Sequence, residues 1–347
     1  MVGIAFQGGG IKGSYEIGAY FALKECRIKV KGFCGTSIGS FNAAVLACGK
    51  EKELLNFWKK LNPGEILGLD SVFVEGIINN QKNPKFIGSA IKNLATIIKN
   101  RGIDTTIIKK KLDSLVDEDL LRNSKYDFGI VTVKLKSFVP LMLFKEDIPL
   151  GKLKESVLAS CYLPIFKAEN IIDNHRYLDG GFYDNCPVNM LIGKGYKKIY
   201  AIKDNGIGIN RKVVENDAEI ISIEPTRMLC SILELDQTKI RENIILGYFD
   251  AMRILKKMDG YKYTFIPKKE RYFKWLTRKI EKKELTRVMN FFKTKTVKET
   301  VIKALEYLME KDSIDYYQNY HYRQIIKKCR RLESKHFINI FINKLSK

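Results

Sequence analysis

The stretch MVGIAFQGGGIKG, residues 1–13, decides the fold of this chain. An apolar run of strand length ends in three glycines, and residues 14–26 then place apolar side chains at a helical period. This order predicts a strand, a glycine turn and a helix. The same order of strand, turn and helix is predicted again at residues 30–34, 36–37 and 38–48. Strands that alternate with helices predict an α/β fold with a mostly parallel sheet covered on both faces.

The rest of the chain extends this pattern and then departs from it. Residues 50–125 are largely helical in pattern, with apolar stripes at 54–61 and 86–94, and we predict that they form a lid or wall of a pocket. Further strand-like runs lie at residues 126–134, 140–144, 198–203, 220–225 and 261–267. After Pro267 the sequence becomes basic and helical. We therefore predict a catalytic domain of residues 1–267 and a helical C-terminal extension of residues 268–347.

The positive charge of the chain is concentrated in that extension. The formal net charge is +22, and residues 268–347 hold 22 Lys and Arg against 9 Asp and Glu, a net of +13. Residues 1–267 hold 39 against 30, a net of +9. Such a surface favours anionic partners, either nucleic acid or a negatively charged membrane, although a solvated helical face is an equally good interpretation.

Cysteine usage and hydropathy indicate where the protein resides. The seven cysteines lie mostly in apolar runs and have no spacing typical of a metal site or disulfide framework, which predicts buried thiols in a reducing compartment. The first residues enter the strand directly, so we expect no cleaved signal peptide. No segment approaches the roughly 18 apolar residues of a membrane span. We expect a protein that is cytoplasmic or peripheral to a membrane.

The pentapeptide Gly35-Thr36-Ser37-Ile38-Gly39 has the G-x-S-x-G spacing of a nucleophile elbow. In such an elbow a serine occupies a sharp strand-to-helix turn, and small flanking residues leave its hydroxyl accessible. The pattern alone has few constrained positions, but here it follows a predicted strand and precedes a predicted helix. The other interpretation of Ser37 is a helix N-cap, which would use the same hydroxyl to accept from a helix amide.

The glycine loop at residues 8–13 is a candidate anion cradle. Its G-x-G-x-x-G spacing also fits a dinucleotide fingerprint, but the acidic residue expected about 20 positions later is missing. A Walker loop fails because Lys12 precedes Gly13. Consecutive amides of Gly9, Gly10 and Ile11 at a helix N-terminus would form a nest for developing negative charge. A simple tight turn remains the alternative.

The base that would activate the serine is the next question. Of the three histidines, His321 and His336 lie in the basic extension, and His175 is roughly 13 Å along the chain from Asp179 if the segment is extended. The economical hypothesis is that Asp179 accepts the serine proton itself. A carboxylate can act near neutral pH only if burial raises its pKa from about 3.9. Taken alone, Asp-Gly-Gly is more typical of a surface turn than of a catalytic base.

The motifs GGGIKG, GTSIG and DGG, in this order and with SVLASCYLPIF between the last two, resemble those of the patatin-like phospholipases over about residues 2–265. The resemblance implies a three-layer α/β/α fold, a Ser–Asp dyad without histidine, no metal or cofactor, and hydrolysis of acyl esters in lipids. It implies Ser37 as nucleophile and Asp179 as base. The residues implied for the oxyanion hole are Gly8, Gly9, Gly10, Ile11 and Ile38, and those that support the motifs are Lys12, Gly13, Gly35, Gly39, Gly180 and Gly181. Lys12 stands where the family often has arginine, and the basic extension lies outside the resemblance.

We therefore expect a lipid acyl hydrolase that works through an acyl-serine intermediate, with a lipid substrate at an anionic membrane surface and no nucleic-acid partner. The competing hypothesis is a lipid-surface or nucleic-acid binding protein with a vestigial hydrolase site. Its support is the alternation of aromatic and basic residues at positions 261–278. A dinucleotide-dependent oxidoreductase is a third, weaker hypothesis.

Overall fold

The computed structural model describes residues 1–66, 85, 102–215, 217–231, 234–332 and 336–346. The chain divides into two compact units, Met1–Tyr248 and Phe249–Lys347. Within the described residues, no helix combines the length and the apolar character needed to cross a bilayer.

A mostly parallel sheet forms the centre of the first unit, as the sequence predicts. Its strands are β1 (Val2–Phe6), β2 (Val30–Thr36), β3 (Asp127–Lys134), β4 (Val139–Phe144), β5 (Tyr177–Asp179), β6 (Lys198–Ile202) and β7 (Glu219–Ile223). The strand order is β4-β3-β2-β1-β6-β7, and β5 pairs with β3. The pairs β3–β2, β2–β1, β1–β6 and β6–β7 are parallel, whereas β4 and β5 run antiparallel to β3.

Helices cover both faces of this sheet. They are α1 (Ser14–Glu25), α2 (Ile38–Ala47), α3 (Glu51–Lys60), α4 (Pro63–Ile66), α5 (Thr106–Leu115), α6 (Glu118–Arg122), α7 (Leu153–Ser160), α8 (Val188–Gly193) and α9 (Gln237–Leu255), the last of which crosses the division between the units. The helical prediction for residues 50–125 is confirmed where the structure describes them. The predicted apolar stripe at residues 86–94 lies outside the described residues.

Side-chain alternation along the strands explains the layers. Phe6 of β1 and Phe33 of β2 share one face, where their rings stack with centroids 6.3 Å apart and Tyr20 of α1 contacts Phe33. Ala5 and Cys34 point to the opposite face and pack with α8. The α/β interpretation and the layering are therefore correct.

The second unit is helical with its own apolar core. Its elements are β8 (Thr264–Phe265), α10 (Glu270–Leu276), α11 (Lys282–Phe292), α12 (Val297–Lys311), β9 (Asn319–Tyr320), α13 (Tyr322–Cys329) and α14 (Phe337–Lys344). The two short strands pair in parallel. Helix α12 begins with a capping box. The Thr296 side chain accepts from the Glu299 amide, and the Glu299 side chain accepts from the Thr296 amide.

The strand predicted at residues 261–267 is wrong in extent. Only Thr264–Phe265 is a strand. The preceding amides of Tyr261, Lys262 and Tyr263 donate instead to the carboxylate of Glu306, at 2.7 to 3.0 Å. This carboxylate takes the donors that a longer strand would need. The side chains of Tyr263 and Phe265 belong to the core of the second unit. The boundary between the two compact units lies after Tyr248, whereas the sequence analysis placed a domain boundary at Pro267.

Candidate active site

The candidate catalytic residues meet at the carboxyl ends of the parallel strands, where ligand sites of open α/β sheets form. The glycine loop follows β1, Ser37 follows β2, and Asp204 follows β6. Because β1 lies between β2 and β6, these three connections are neighbours at one edge of the sheet. We call this edge the carboxyl edge.

Ser37 adopts a strained backbone conformation at the turn between β2 and α2. Its φ of 53° and ψ of −129° are rarely adopted by residues other than glycine. Among the described residues its side chain caps no amide of α2, so the N-cap interpretation fails. Its amide donates to Ser160 Oγ at 3.0 Å. The strained turn therefore leaves the hydroxyl uncommitted at a position that is 9% exposed.

The two glycines of the elbow are required for close backbone contact. A Cβ on Gly35 would overlap the carbonyl oxygen of Gly39, and a Cβ on Gly39 would lie 2.7 Å from the carbonyl oxygen of Phe6. Both obstacles are backbone atoms that cannot rotate away. The spacing G-x-S-x-G thus lets α2 fold back against β2 and β1 directly after the serine.

We predict that Gly35→Ala unfolds or severely destabilises the protein, by roughly 3 kcal/mol or more, because overpacking against backbone cannot relax. The measurement is the unfolding midpoint in denaturant. Gly193→Ala is the matched control, since a Cβ there meets nothing within 4 Å. A Gly35→Ala variant as stable as the control would contradict this account of the elbow.

Strand β5 brings Asp179 to Ser37. Thr36 at the end of β2 pairs with Val131 of β3, and Asp179 pairs with Thr132, the next residue of β3. Since β4 occupies the other side of β3 at these positions, β5 continues the line of β2 where Ser37 leaves it. Gly180 completes the approach, because a Cβ there would overlap the carbonyl oxygen of Val131.

The environment of Asp179 suits a base. The residue is 4% exposed, and burial raises the pKa of its carboxyl group to about 6, although the Ser37 hydroxyl and the amide of Gly181 lower it. The Gly181 amide donates to Oδ1 at 2.8 Å. The other oxygen, Oδ2, is buried and makes no hydrogen bond to the described residues. The Ser37 hydroxyl lies close enough to lower the pKa of Asp179.

The three histidines have other places in the structure. His175 is exposed and forms a bridge with Ile172 in the turn before β5. His321 and His336 are the N-cap residues of α13 and α14 in the second unit. Of these, only the His336 side chain accepts from a helix amide in its cap.

The glycine loop offers fewer free donors than the sequence predicts. The Gly8 amide already donates to the carbonyl oxygen of Asn185 at 3.0 Å, so Gly8 shapes the loop and its N–H is occupied. For Gly9, Gly10, Ile11 and Ile38, the structure assigns no amide hydrogen bond outside their own helical turns among the described residues. Gly10 has a φ of 60°, which favours glycine at that position.

Two buried carboxyl groups that the sequence analysis missed, Glu16 and Asp204, lie behind this loop. A Cβ on Gly9 would overlap the Asp204 carboxyl group. Burial, and then the charge of Asp204, raises the pKa of Glu16 well above its usual range. Burial raises the pKa of Asp204 to about 7, while Lys12, whose ammonium donates to the carbonyl oxygen of Asn205, lowers it. Burial thus favours the protonated form of Glu16, behind the candidate oxyanion cradle.

Asn185 is a third residue that the sequence analysis missed. Its side-chain amide donates to the carbonyl oxygen of Gly8 at 2.9 Å, while its backbone carbonyl accepts from the Gly8 amide. It lies six residues after Asp179, so it joins the glycine loop to the segment that carries the candidate base. In the sequence Asn185 stands between Asp184 and Cys186, and this context gives no signal of its burial.

We predict that Asn185→Ala lowers kcat about tenfold or more with little change in KM, because the buried Gly8 carbonyl loses its side-chain donor and the loop loosens. The assay is hydrolysis of a short water-soluble ester. Asn189→Ala is the control: it removes two side-chain hydrogen bonds, with Lys212 and Val214, both of which are exposed. Equal kcat values for the two variants would exclude a positioning role for Asn185.

An almost wholly apolar cavity opens at Ser37. It is bounded by Gly10, Ile11 and Ile38 on one side, and its volume is about 1000 Å³ when the open mouth is included. The remaining wall comes from α2, α3, α4, α5, α7 and the segment that follows α7. The helical region at residues 50–125 thus supplies part of a pocket wall in its described portions. Among the described residues, no group of three or more His, Cys, Asp or Glu side chains is arranged to hold a metal ion.

Comparisons with known proteins were made for sequence and structure. A family model described as patatin-like phospholipase matches residues 4–192, which is more than half of the chain and includes all three glycine motifs. The crystal structure of VipD from Legionella pneumophila is similar at 14% identity and a TM-score of 0.45, covering 98% of this chain and 83% of that one. Full-length ExoU of Pseudomonas aeruginosa, in complex with SpcU, is similar at 14% identity and a TM-score of 0.36, covering 99% and 70%. No curated protein sequence matches significantly.

Proposed function

The chain belongs to the patatin-like phospholipase family, and we propose that it is a serine acyl hydrolase that cleaves carboxylic esters of lipids through an acyl-Ser37 intermediate. One observation carries the proposal. A strained serine with an uncommitted hydroxyl and a buried carboxyl group with a raised pKa lie together at the opening of an apolar cavity.

The proposed reaction has two halves. The Ser37 oxygen attacks the ester carbonyl carbon while Asp179 takes the hydroxyl proton, and Asp179 then returns that proton to the leaving alcohol as the C–O bond breaks. Water attacks the acyl-serine by the reverse route, with Asp179 again as base. The amides of Gly9, Gly10, Ile11 and Ile38 are the proposed donors to the tetrahedral oxyanion. A single such donor contributes about 2.7 to 4 kcal/mol in serine hydrolases of other folds.

Burial is what makes a direct carboxylate base reasonable. An exposed aspartate holds a proton too weakly to accept one from a serine hydroxyl near pH 7. With the pKa of Asp179 raised to about 6, the carboxylate remains ionised at neutral pH but binds a proton much more tightly. Oδ2, which makes no hydrogen bond to the described residues, is the proposed acceptor of the serine proton, because Oδ1 already accepts from the Gly181 amide.

The cavity supports a lipid acyl chain as the group that is held. Its described wall includes Phe57, Trp58 and Leu158, and Lys111 is a charged residue among the lining side chains. A pocket of this kind gains binding energy from apolar surface and offers little to a sugar or a peptide. We further propose that the substrate is presented at an anionic membrane surface.

The competing function is a binding protein with a vestigial site. Its support was the aromatic and basic segment of the extension, where Lys268 lies over the ring of Tyr272 at 5.9 Å and Arg278 over that of Trp275 at 4.7 Å. Both rings are half-buried against the core of the second unit. Rings used in this way are not free to stack on bases, which disfavours the nucleic-acid hypothesis.

Product analysis tests the proposal. The full chain is incubated with a mixed lipid extract, and released fatty acids are measured by mass spectrometry beside the Ser37→Ala variant. We expect fatty acids with the native chain only. Binding to lipid without any release of fatty acid would favour the vestigial-site hypothesis, and NAD or FAD binding would favour an oxidoreductase.

A further inference from the structure

The loop of residues 205–214, between β6 and β7, contacts both candidate catalytic loops; we call it the rim loop. Gly206 packs directly on the backbone of Gly8 and Gly9. The Ile209 amide donates to the carbonyl oxygen of Gly181 at 2.8 Å, and the Ile209 carbonyl accepts from the Asn185 amide at 2.6 Å. The rim loop therefore lies at the carboxyl edge, against the glycine loop and the segment that follows Asp179.

Apolar side chains of the rim loop point into solvent. Ile207 is 85% exposed, Ile209 55% and Val214 51%. Phe182, in the turn directly after Asp179, is 49% exposed. Since the Ile209 amide is hydrogen-bonded to Gly181, the exposed Ile209 and Phe182 lie on neighbouring backbone segments. Clustered exposed apolar groups at a site opening mark an interaction surface more often than isolated ones do.

The backbone of the rim loop is held in place while these side chains protrude. The Gly206 amide donates to Asp204 Oδ1 at 2.9 Å, and the side chain of Gln7 donates to Asn210 Oδ1 at 3.1 Å. The Arg211 guanidinium lies 4.4 Å from the ring centre of Tyr183. These contacts tie the rim loop to Asp204, Gln7 and Tyr183 while its apolar side chains protrude.

The charges around the rim loop favour an anionic lipid surface over a neutral protein partner. Residues 205–214 contain Arg211 and Lys212 and no acidic side chain, and both cations are exposed. Lys12 adds a third positive charge through its contact with Asn205. Of the neighbouring acids, Asp184 and Asp204 are buried and Glu215 is exposed at the end of the loop.

We propose that the rim loop, together with Phe182, is the surface by which the first unit docks on an anionic bilayer, with Ile207 and Ile209 in the interface and Arg211 and Lys212 at the headgroups. This inference rests on the proposed function, because docking here presents membrane lipids directly to Ser37. It assigns membrane contact to the first unit, whereas the charge distribution of the sequence pointed to the basic extension.

The test uses the full chain and vesicles of phosphatidylcholine containing about one third phosphatidylserine. The double variant Ile207→Asn with Ile209→Asn is uncharged, so it leaves the field at Asp179 unaltered. We expect its vesicle affinity in sedimentation to fall about tenfold or more, because apolar contact with the interface is lost. Phe138→Asn with Leu150→Asn is the matched control, since those side chains are 69% and 83% exposed elsewhere in the first unit. The control should bind as the native chain does.

A second pair of variants examines the charges. Arg211→Gln with Lys212→Gln should weaken binding to the anionic vesicles about thirtyfold and leave binding to pure phosphatidylcholine unchanged, at roughly 1 kcal/mol for each cation. Lys274→Gln with Lys279→Gln removes two exposed cations from the second unit. If this second-unit pair weakens binding and the rim-loop variants do not, docking by the rim loop is excluded.

Hydrolysis assays separate this inference from the proposed function. The Ile207 and Ile209 double variant should hydrolyse a short soluble ester at the native rate and lose activity on vesicles in proportion to its affinity. Native activity on vesicles in that variant would overturn the docking proposal alone. A native chain that hydrolyses neither substrate, yet loses vesicle affinity in the variant, would overturn the proposed function and uphold the docking surface.

Discussion

Ser37→Ala abolishes ester hydrolysis, with an expected loss of about 10⁴-fold or more in kcat, because alanine has no hydroxyl to form the proposed acyl intermediate. The fold should persist, since the hydroxyl of Ser37 makes no capping hydrogen bond among the described residues. The measurement is steady-state hydrolysis of a soluble ester, with circular dichroism to verify folding. Activity retained by a folded Ser37→Ala variant would remove this residue from the mechanism.

Ser37→Gly provides a second readout at the same position. Alanine keeps the Cβ and hence the backbone strain at a φ of 53°, whereas glycine adopts this conformation freely. We expect both variants to be inactive, but the glycine variant should be more stable than the alanine variant by about 1 kcal/mol. Equal unfolding free energies would mean that the turn stores no strain.

Asp179→Asn lowers kcat/KM by about 10³-fold, the second-largest effect that we expect, because asparagine keeps the shape of the side chain but cannot accept the serine proton. Gly181 can still donate to the amide oxygen, so the local turn should remain. The assay compares both chains on one soluble ester across pH. A variant that keeps most of the native activity would show that another group is the base.

The pH dependence follows from the pKa of Asp179, which burial raises to about 6. Below that pH the carboxyl group is protonated and cannot act as base, so kcat/KM should fall roughly tenfold for each further unit of pH. Above it the rate should reach a plateau. An acidic limb centred near pH 4, the ordinary range of aspartate, would show that burial does not tune this group.

The free energy of unfolding should also depend on the ionisation of Asp179, but it should fall as the pH rises. Its pKa is raised from 3.8 in the unfolded chain to about 6 in the fold, so the folded state binds the proton more tightly. The resulting stabilisation is complete below about pH 4 and is lost as the pH rises through 6. Asp179→Asn should therefore be more stable than the native chain at pH 8, by about 1 to 3 kcal/mol, and this advantage should shrink at pH 4.

Local sequence was sufficient for the elements and for the elbow. Three glycines after an apolar run, and G-x-S-x-G after another, specify strand-to-turn-to-helix connections, because only glycine permits the backbone contact that Gly35 and Gly39 make. Gly35 and Gly39 are close in sequence, whereas the contact of Gly39 with Phe6 forms only on folding. The motifs themselves predicted Ser37, the glycine loop and the mostly parallel sheet from neighbouring positions.

Tertiary structure decided which residues meet and which donors remain free. Strand β5 places Asp179 beside Ser37 only because it takes up the pairing of β3 where β2 stops, a register set by residues far apart in the chain. Three other features also depend on long-range contacts. They are the occupied amide of Gly8, the amides that donate to Glu306 where a strand was predicted, and the buried pair of Glu16 and Asp204.

Sequence thus determined which backbone conformations each segment can adopt, since that depends on the residue itself and its neighbours. Burial, charge and hydrogen-bond partners depend on segments that meet only after folding. The chemical character of Asp179 belongs to this second group: its type is written in the chain, but its raised pKa comes from the surrounding protein that excludes water.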